Sequence, residues 1–564
     1  MEIFSSVIAD VIKQLFQIDV VAEISRPEAK FGDLATNVAM KLAGQLGKNP
    51  REIAEQIAGE LRNNPDFAGV SIAGPGFINL KVSEKFLARE FDKMLKNPAE
   101  YGASQMYAGK TVVTEFSDPN PFKELHVGHL YTTIIGESIS RLIEAAGGAA
   151  HRVNFGGDVG LHVGKAMWGI VRTLDGENPE KLNEISESDR PSFLSKCYVM
   201  GAGAYENDES AKTEIIEYNK AVYDITATNN HESPLAQIYW TGRGWSYDYF
   251  KNFYREIGVE FEKFYPESET AKIGMATVRE QQKHGVYEES AGAIVFNGEK
   301  YGLHTRVFIN GQGLPTYETK DLGVAMSKWR DYHPDQSIII TGNDIVEYMK
   351  VLMKSIEQFA PEISSTTLHI THNNVKLAGS GKMSSRLGKV LRAVDVIDMV
   401  KSTYQETQGS IDMIQVFGAI KYTFLKNRIG GGDIIFDMQE SVSTTGNSGP
   451  YLQYAATRAN SILRNLGANF ADEFTAVDFD EFERALLVKI MEFSDIVAVA
   501  TKDLAPHVIC TYLYELAQTF NRFYENSRVA GDPRENLRAR LVKIYAEILR
   551  RGLDILSMQV PEKM

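Results

Sequence analysis

Two histidines three residues apart, His126 and His129, enclose Gly128 in the stretch Glu115-Phe-Ser-Asp-Pro-Asn-Pro-Phe-Lys-Glu-Leu-His-Val-Gly-His-Leu130. Residues three apart share one face of a helical turn, and a helix N-terminus offers unpaired N–H groups and partial positive charge. Two imidazoles there can donate to phosphate oxygens, while Gly128 lets a flat base approach the backbone. The spacing therefore suits a triphosphate, with a chance pair or a metal pair as the alternatives for His-x-x-His alone. Further along, Ala378-Gly-Ser-Gly-Lys382-Met-Ser-Ser-Arg386-Leu-Gly-Lys389 sets cations among small residues. That composition suits a mobile clamp for pyrophosphate or, alternatively, a solvated basic loop.

The elements around the first motif can be read from pattern. Thr111-Val-Val-Thr114 is β-branched and predicts a strand, after which Pro119 and Pro121 force a turn. Ile134, Ile135, Ile139, Leu142 and Ile143 then recur at helical spacing until Gly147-Gly148. A second strand at Arg152-Val-Asn-Phe155 leads into Gly156-Gly-Asp158-Val-Gly160, where Asn154, Asp158 and His162 can line the same pocket. Alternating strand and helix signals predict a parallel sheet with ligands at its carboxyl ends. Tyr317 and Asp321 stand four apart on a predicted helix and face one way. A carboxylate there, read from spacing alone, pairs at the surface with Lys320 or Lys328.

His126-Val-Gly-His129 resembles the first signature of class I aminoacyl-tRNA synthetases, and Lys382-Met383-Ser384-Ser385-Arg386 resembles their second. Glu115-Phe-Ser-x-Pro-Asn120-Pro-x-Lys123 and Tyr317-Glu-Thr-Lys-Asp321-Leu-Gly are similar to arginyl-tRNA synthetases in particular. The resemblance implies that ATP, carried with Mg²⁺ and without a structural metal, is bound by His126, Gly128, His129, Lys382, Met383 and Ser384. It assigns charge stabilisation to His126, His129, Lys123 and Lys382, and L-arginine binding to Glu115, Asn120, Tyr317 and Asp321. The partner implied is tRNA(Arg). Ser385 stands where the class pattern has a second lysine, with Lys123 as the compensating cation, and Glu124 adds a negative charge beside the phosphates.

The fold expected is α/β, with a class I synthetase nucleotide-binding, Rossmann-like parallel sheet over residues 106–435 and an insertion at about 165–270. A small α/β domain over 1–105 precedes it, and an all-α anticodon-binding bundle over 436–564 follows. In the first domain Asn49-Pro50 starts a helix striped by Ile53, Ala54, Ile57, Ala58 and Leu61, and Val70–Val82 is a strand broken at Gly74-Pro-Gly76. Phe31-Gly-Asp33 and Gly74-Pro-Gly-Phe77-Ile-Asn79 are similar to the family's appendage for the tRNA elbow, which makes Phe77 a stacking ring and Asn79 a base reader; a core ring and a strand-end cap are the alternatives. In the bundle Tyr451, Arg458 and Met564 are the residues matched to anticodon contact. Arg534, Arg538, Arg540, Lys543, Arg550 and Arg551 make the last helix a candidate phosphate surface.

Composition bounds the rest. A chain of 564 residues with 43% apolar and 24% charged residues predicts several globular domains. A net charge of −14 disfavours a nonspecific nucleic-acid coat. Two cysteines, Cys197 and Cys510, exclude a Cys-rich zinc site and read as buried small hydrophobes. The start lacks a basic, uninterrupted apolar leader and no run reaches membrane-spanning length, so a cytoplasmic protein is expected, and the resemblance implies a monomer. Two other classes remain: a related synthetase or nucleotidyltransferase for another amino acid, and a non-catalytic RNA-binding relative.

Overall fold

The β-branched run at Thr111 is the middle strand of a five-stranded sheet. A computed structural model describes residues 2–98, 101–378, 391–467 and 478–564. In it β1 (Thr111–Glu115), β2 (Ala149–Gly156), β3 (Lys263–Pro266), β4 (Gln336–Gly342) and β5 (Thr367–His372) run side by side. Their spatial order is β5-β4-β1-β2-β3, and every pairing is parallel. This is the doubly wound order, whose crevice opens where the winding reverses, beside the carboxyl ends of β1 and β4. Val112, Val113, Ile338 and Ile340 are fully buried, as a sheet covered on both faces requires.

Helix α1 (Val127–Ala145) starts at that crevice and runs beneath the sheet. Gly136 lies so close under the Phe116 ring that a Cβ there would stand 2.2 Å from it. The far half of α1 meets the C-terminal bundle. Ser138 Oγ donates to the Ile555 carbonyl and Arg141 to the Asp554 carbonyl, each at 3.0 Å. These carbonyls end the last helix, α7 (Glu535–Ile555). The buried Lys421 ammonium, on α6 (Met413–Leu425), bonds the Ser557 carbonyl just beyond.

Between β2 and β3 the chain is helical, with α2 (Leu161–Thr173), α3 (Arg190–Asn207) and two further helices, Glu209–Thr228 and Pro234–Glu256. Helix α4 (Glu267–Lys283) then crosses α5 (Tyr317–Tyr332) at backbone contact. A Cβ on Gly274 would lie 1.8 Å from the Thr319 carbonyl oxygen, and one on Gly323 1.9 Å from that of Thr270.

The N-terminal sheet is antiparallel, and its Phe67–Ala73 and Phe77–Val82 strands form the expected hairpin. Asn49 caps the Pro50–Leu61 helix as expected, through Arg51 N–H. Gly32 holds φ +131 and presses on the Leu80 carbonyl, so the Phe31-Gly-Asp33 turn is a packing device. Asp33 accepts from Val82 N–H and binds Arg484 of the C-terminal bundle through both carboxylate oxygens.

The basic surface expected on the last helix is largely consumed internally. Arg534 and Arg538 both bind Glu483, and Arg538 also reaches Asp480. Arg540 bonds Asn536, Arg550 pairs with Glu547 and Asp554, and Arg551 bonds the Pro98 and Tyr101 carbonyls. The adjacent acids lower the energy of these guanidiniums more cheaply than distant phosphates would. Both cysteines are buried and unpaired.

Because only glycine fits where α5 crosses α4, Gly274→Ala is expected to push α5 outward. A loss of about 1–3 kcal/mol in unfolding free energy is expected from overpacking, together with weakened binding of whatever Tyr317 and Asp321 hold. Denaturant unfolding and ligand titration of the variant check both.

Candidate active site

The chain leaves β1 through a strained turn. Ser117, Asp118 and Phe122 all adopt left-handed φ, at 74°, 48° and 66°, a conformation costly for residues with a Cβ. Packing holds them: Ser117 Oγ bonds Tyr254 OH at 2.8 Å, Asp118 accepts from Phe155 N–H at 2.8 Å, and the buried Phe122 donates its N–H to Ser246.

The turn delivers His126 to the N-cap of α1. His126 N–H donates to His129 Nδ1 and His129 N–H to His126 Nδ1, at 3.2 and 3.3 Å, a reciprocal capping box. The rings stack with centroids 3.6 Å apart. Since each Nδ1 accepts, each neutral ring carries its proton on Nε2 and keeps one donor. Burial, then the Lys123 charge, pushes His126 down to about 4. His129 lies well below its ordinary range through burial, the neighbouring His126 and Lys123. Both are therefore neutral donors at physiological pH rather than cations. Gly128 also makes room for the cap: a Cβ there would stand 2.8 Å from the His126 ring.

The charge on Glu124 is met by Arg392, 3.0 Å away, so neither Lys123 nor a cation bound with substrate is needed to offset it. Arg392 belongs to a short antiparallel bridge in which Val127 N–H donates to the Leu391 carbonyl and Ala393 N–H to that of Leu125. The bridge ties the histidine turn to the chain following the second motif. Lys382, Met383, Ser384 and Ser385 lie outside the described residues.

Four side chains at the carboxyl end of β1 form an acid-rich cluster. Glu115 is buried and paired with the buried Lys328 at 2.6 Å. Asp321, one turn into α5, pairs with neither Lys320 nor Lys328: Lys320 is taken by Glu267 at 2.6 Å and Lys328 by Glu115. Burial, reinforced by Glu115, Glu267 and Asp118, raises the Asp321 carboxyl well above the usual range, and Lys328 only partly opposes this. Burial and Glu115 raise Asp118 likewise. Glu115, Asp118 and Asp321 thus share the field of one ammonium. Tyr317 is 62% exposed at the mouth, with the Lys320 ammonium 5.0 Å from its ring centre.

Asn120 packs its side-chain oxygen against Gly157, leaving no space for a Cβ, beside the His162 ring. His162 bonds the Gly157 carbonyl, and burial pushes its pKa down to about 3. Asn154 and Asp158 serve the scaffold instead. Asn154 donates to the Phe116 carbonyl, and Asp158 is saturated by Arg243, Ser268 N–H and Ser268 Oγ. Sequence reasoning missed Glu267, which stands in a segment without motif spacing, and it offered Lys328 as a partner of Asp321, whereas Lys328 pairs with Glu115.

Of the RNA-contact candidates, Phe77 is 40% exposed and free to stack, whereas Asn79 is buried at 7% between the second and third of four N-terminal strands. Asn79 shares a strand face with the exposed Phe77 and Lys81. Tyr451 accepts from Asn521, Arg458 lies over Tyr524 at 4.3 Å, and Met564 is 41% exposed.

A parallel β5-β4-β1-β2-β3 sheet whose central strand feeds a histidine-capped helix is the catalytic domain of a class I aminoacyl-tRNA synthetase. The family model for tRNA synthetases class I (R), catalytic domain, matches residues 90–438. Those for the arginyl tRNA synthetase N terminal domain and the DALR anticodon binding domain match 2–82 and 452–564. An arginine–tRNA ligase of Clostridium botulinum is 31% identical across 100% of both chains. Another, of Borrelia duttonii, is 30% identical over 87% of this chain and 86% of its own. The fold is that of the arginyl-tRNA synthetase of Thermus thermophilus, with TM-score 0.78, 21% identity and coverage of 100% and 99%. The Plasmodium falciparum arginyl-tRNA synthetase structure matches equally, at TM-score 0.78 and 21% identity, over 100% and 98%. The chain belongs to the arginyl-tRNA synthetase family.

The histidine cap makes a pH prediction. The unfolded chain protonates His126 near its ordinary value of about 6.5, while the folded chain resists until about 4. Between these values the unfolded state binds more protons, so stability is full above about 6.5 and falls as pH drops toward 4. Urea unfolding across that window is expected to show the slope, and His126→Asn, which keeps an N-cap acceptor, is expected to flatten part of it.

Proposed function

We propose that this chain is an arginine–tRNA ligase that activates L-arginine with ATP and charges tRNA(Arg). The observation that carries this reading is the cluster of Glu115, Asp118 and Asp321 around the single Lys328, beside the histidine turn. Buried carboxylates short of a cation attract one from the substrate. A guanidinium stays charged and can give Asp321 two parallel N–H bonds, which a lysine ammonium cannot.

In the first step an arginine carboxylate oxygen attacks the α-phosphorus of ATP. The bond from that phosphorus to the bridging oxygen breaks, and pyrophosphate leaves with the electron pair. The Nε2–H groups of His126 and His129 face the growing phosphate charge as neutral donors, with Lys123 and, by resemblance, Lys382 supplying positive charge. The terminal adenosine 2′-hydroxyl of tRNA then attacks the arginyl carbonyl and AMP departs. Mg²⁺ would enter with ATP, carried by its phosphates. Asn120 and Tyr317 are assigned to the substrate's amino end and the pocket mouth.

The RNA would be held by domains 1–105 and 436–564 on either side of the catalytic domain at 106–435, with Phe77, Tyr451, Arg458 and Met564 as contacts. The family resemblance supports a monomer working in the cytoplasm, and no described helix is long and apolar enough to cross a membrane.

Charging assays with a mixed tRNA pool and each of the twenty amino acids are expected to give product with arginine alone. Asp321→Asn is expected to lower kcat/KM for arginine by about 100-fold through loss of a desolvated charge pair, with the KM for ATP little changed. Product with another amino acid, or an unaffected Asp321→Asn enzyme, would reject the assignment.

A further inference from the structure

Lys123 is not the only ammonium near the histidine turn without a strong carboxylate partner. Among the described residues no carboxylate lies within ion-pair distance of Lys123; its ammonium rests 3.9 Å from the centre of the Tyr198 ring. Lys165, on the second turn of α2, rests 4.2 Å over the Tyr205 ring. The nearest acid to Lys165 is Glu206, 3.8 Å away and 71% exposed, whereas the Lys165 side chain is only 16% exposed. Such a pair at the surface is weak.

Tyr198 and Tyr205 are seven residues apart on α3, two turns along one face. The two helices that carry this arrangement are pressed together on glycine. A Cβ on Gly201 of α3 would stand 2.0 Å from the Lys165 carbonyl oxygen, and one on Gly169 of α2 would stand 2.1 Å from that of Cys197. Lys165 is thereby fixed in place rather than left on a flexible surface. Its charge reaches the histidine turn: after burial, Lys165 is what drives Lys123 down to about 8, and both lysines lower His162.

Two recessed ammoniums in each other's field are unfavourable unless an anion joins them. A tyrosine face stabilises each modestly but leaves N–H donors free. In sequence, the second motif carries Ser385 where the class pattern has a lysine, so one cation is missing from its usual source.

We propose that Lys165 is a further phosphate-binding residue of this site, holding with Lys123 the pyrophosphate end of ATP. This rests on the ligase reading. As the α-phosphorus to bridging-oxygen bond breaks, negative charge moves onto the departing pyrophosphate, and Lys165 offers it an ammonium in a partly desolvated place.

The test uses the full chain and Lys165→Met, which keeps the stem that packs on Tyr205, with Lys165→Arg as the conservative variant. Calorimetric titration with Mg·ATP, AMP and inorganic pyrophosphate reads binding without turnover. Lys165→Met is expected to weaken ATP and pyrophosphate about tenfold, the scale of one hydrogen bond to a charged group, and to leave AMP unchanged; Lys165→Arg is expected to restore most of the loss. Equal weakening of AMP and ATP would mean that the site has deformed and would overturn the proposal. Unchanged ATP and pyrophosphate binding, with a raised KM for tRNA in charging assays, would assign the lysine to an RNA phosphate and overturn it as well. Failure of the ligase reading is distinguishable, because the wild-type chain would then form no arginyl-tRNA whatever the titrations gave.

Discussion

Holding carboxylates out of water is the constraint that organises this molecule. Glu115 ends the central strand, Asp118 sits in a left-handed turn just after it, and Asp321 comes from a helix some two hundred residues later. Each would be solvated and unremarkable alone. Bringing them together requires α5 to touch α4 backbone to backbone through Gly274 and Gly323, and requires Lys328 and Lys320 to be buried opposite Glu115 and Glu267. A cluster that exceeds its own cations is tolerable only where the surrounding packing over-determines it and a cationic ligand relieves it.

The same economy of charge governs the nucleotide side. The two histidines are kept neutral by burial and by the Lys123 charge, so the turn offers N–H donors and helix polarity rather than net charge. Glu124 is cancelled by Arg392, and cations reach the site from separate segments. Helix α1 joins this chemistry to the RNA-binding end: its first turn carries the histidines, while Ser138 and Arg141 cap the last helix of the bundle. One helix therefore has a histidine-capped terminus and an interdomain one, and the Asp33–Arg484 pair locks the N-terminal domain to the same bundle.

Much of this was legible in the chain. The strand at Thr111, the turn enforced by Pro119 and Pro121, the histidine-headed helix ending at Gly147, the Asn49 cap and the hairpin at Gly74 are local events, governed by backbone sterics and apolar spacing. The motifs at 115–129 and 317–323 pointed to the right family because chemistry at a strand end needs fixed residue types at fixed short separations.

Pairing across long separations was decided only by the tertiary structure. Nothing near Glu115 announces that Lys328 will neutralise it, and nothing in the arginines of the last helix shows that Glu483 and Asp480 will absorb Arg534 and Arg538. That Asn79 would be mostly covered by its sheet, and that Gly128 also makes room for the His126 ring, could be seen only after packing. Local sequence thus determined which residue types stand at each element's end. Which charge is spent inside the protein and which is left for a ligand depends on through-space distance and desolvation, and both exist only after the chain has packed.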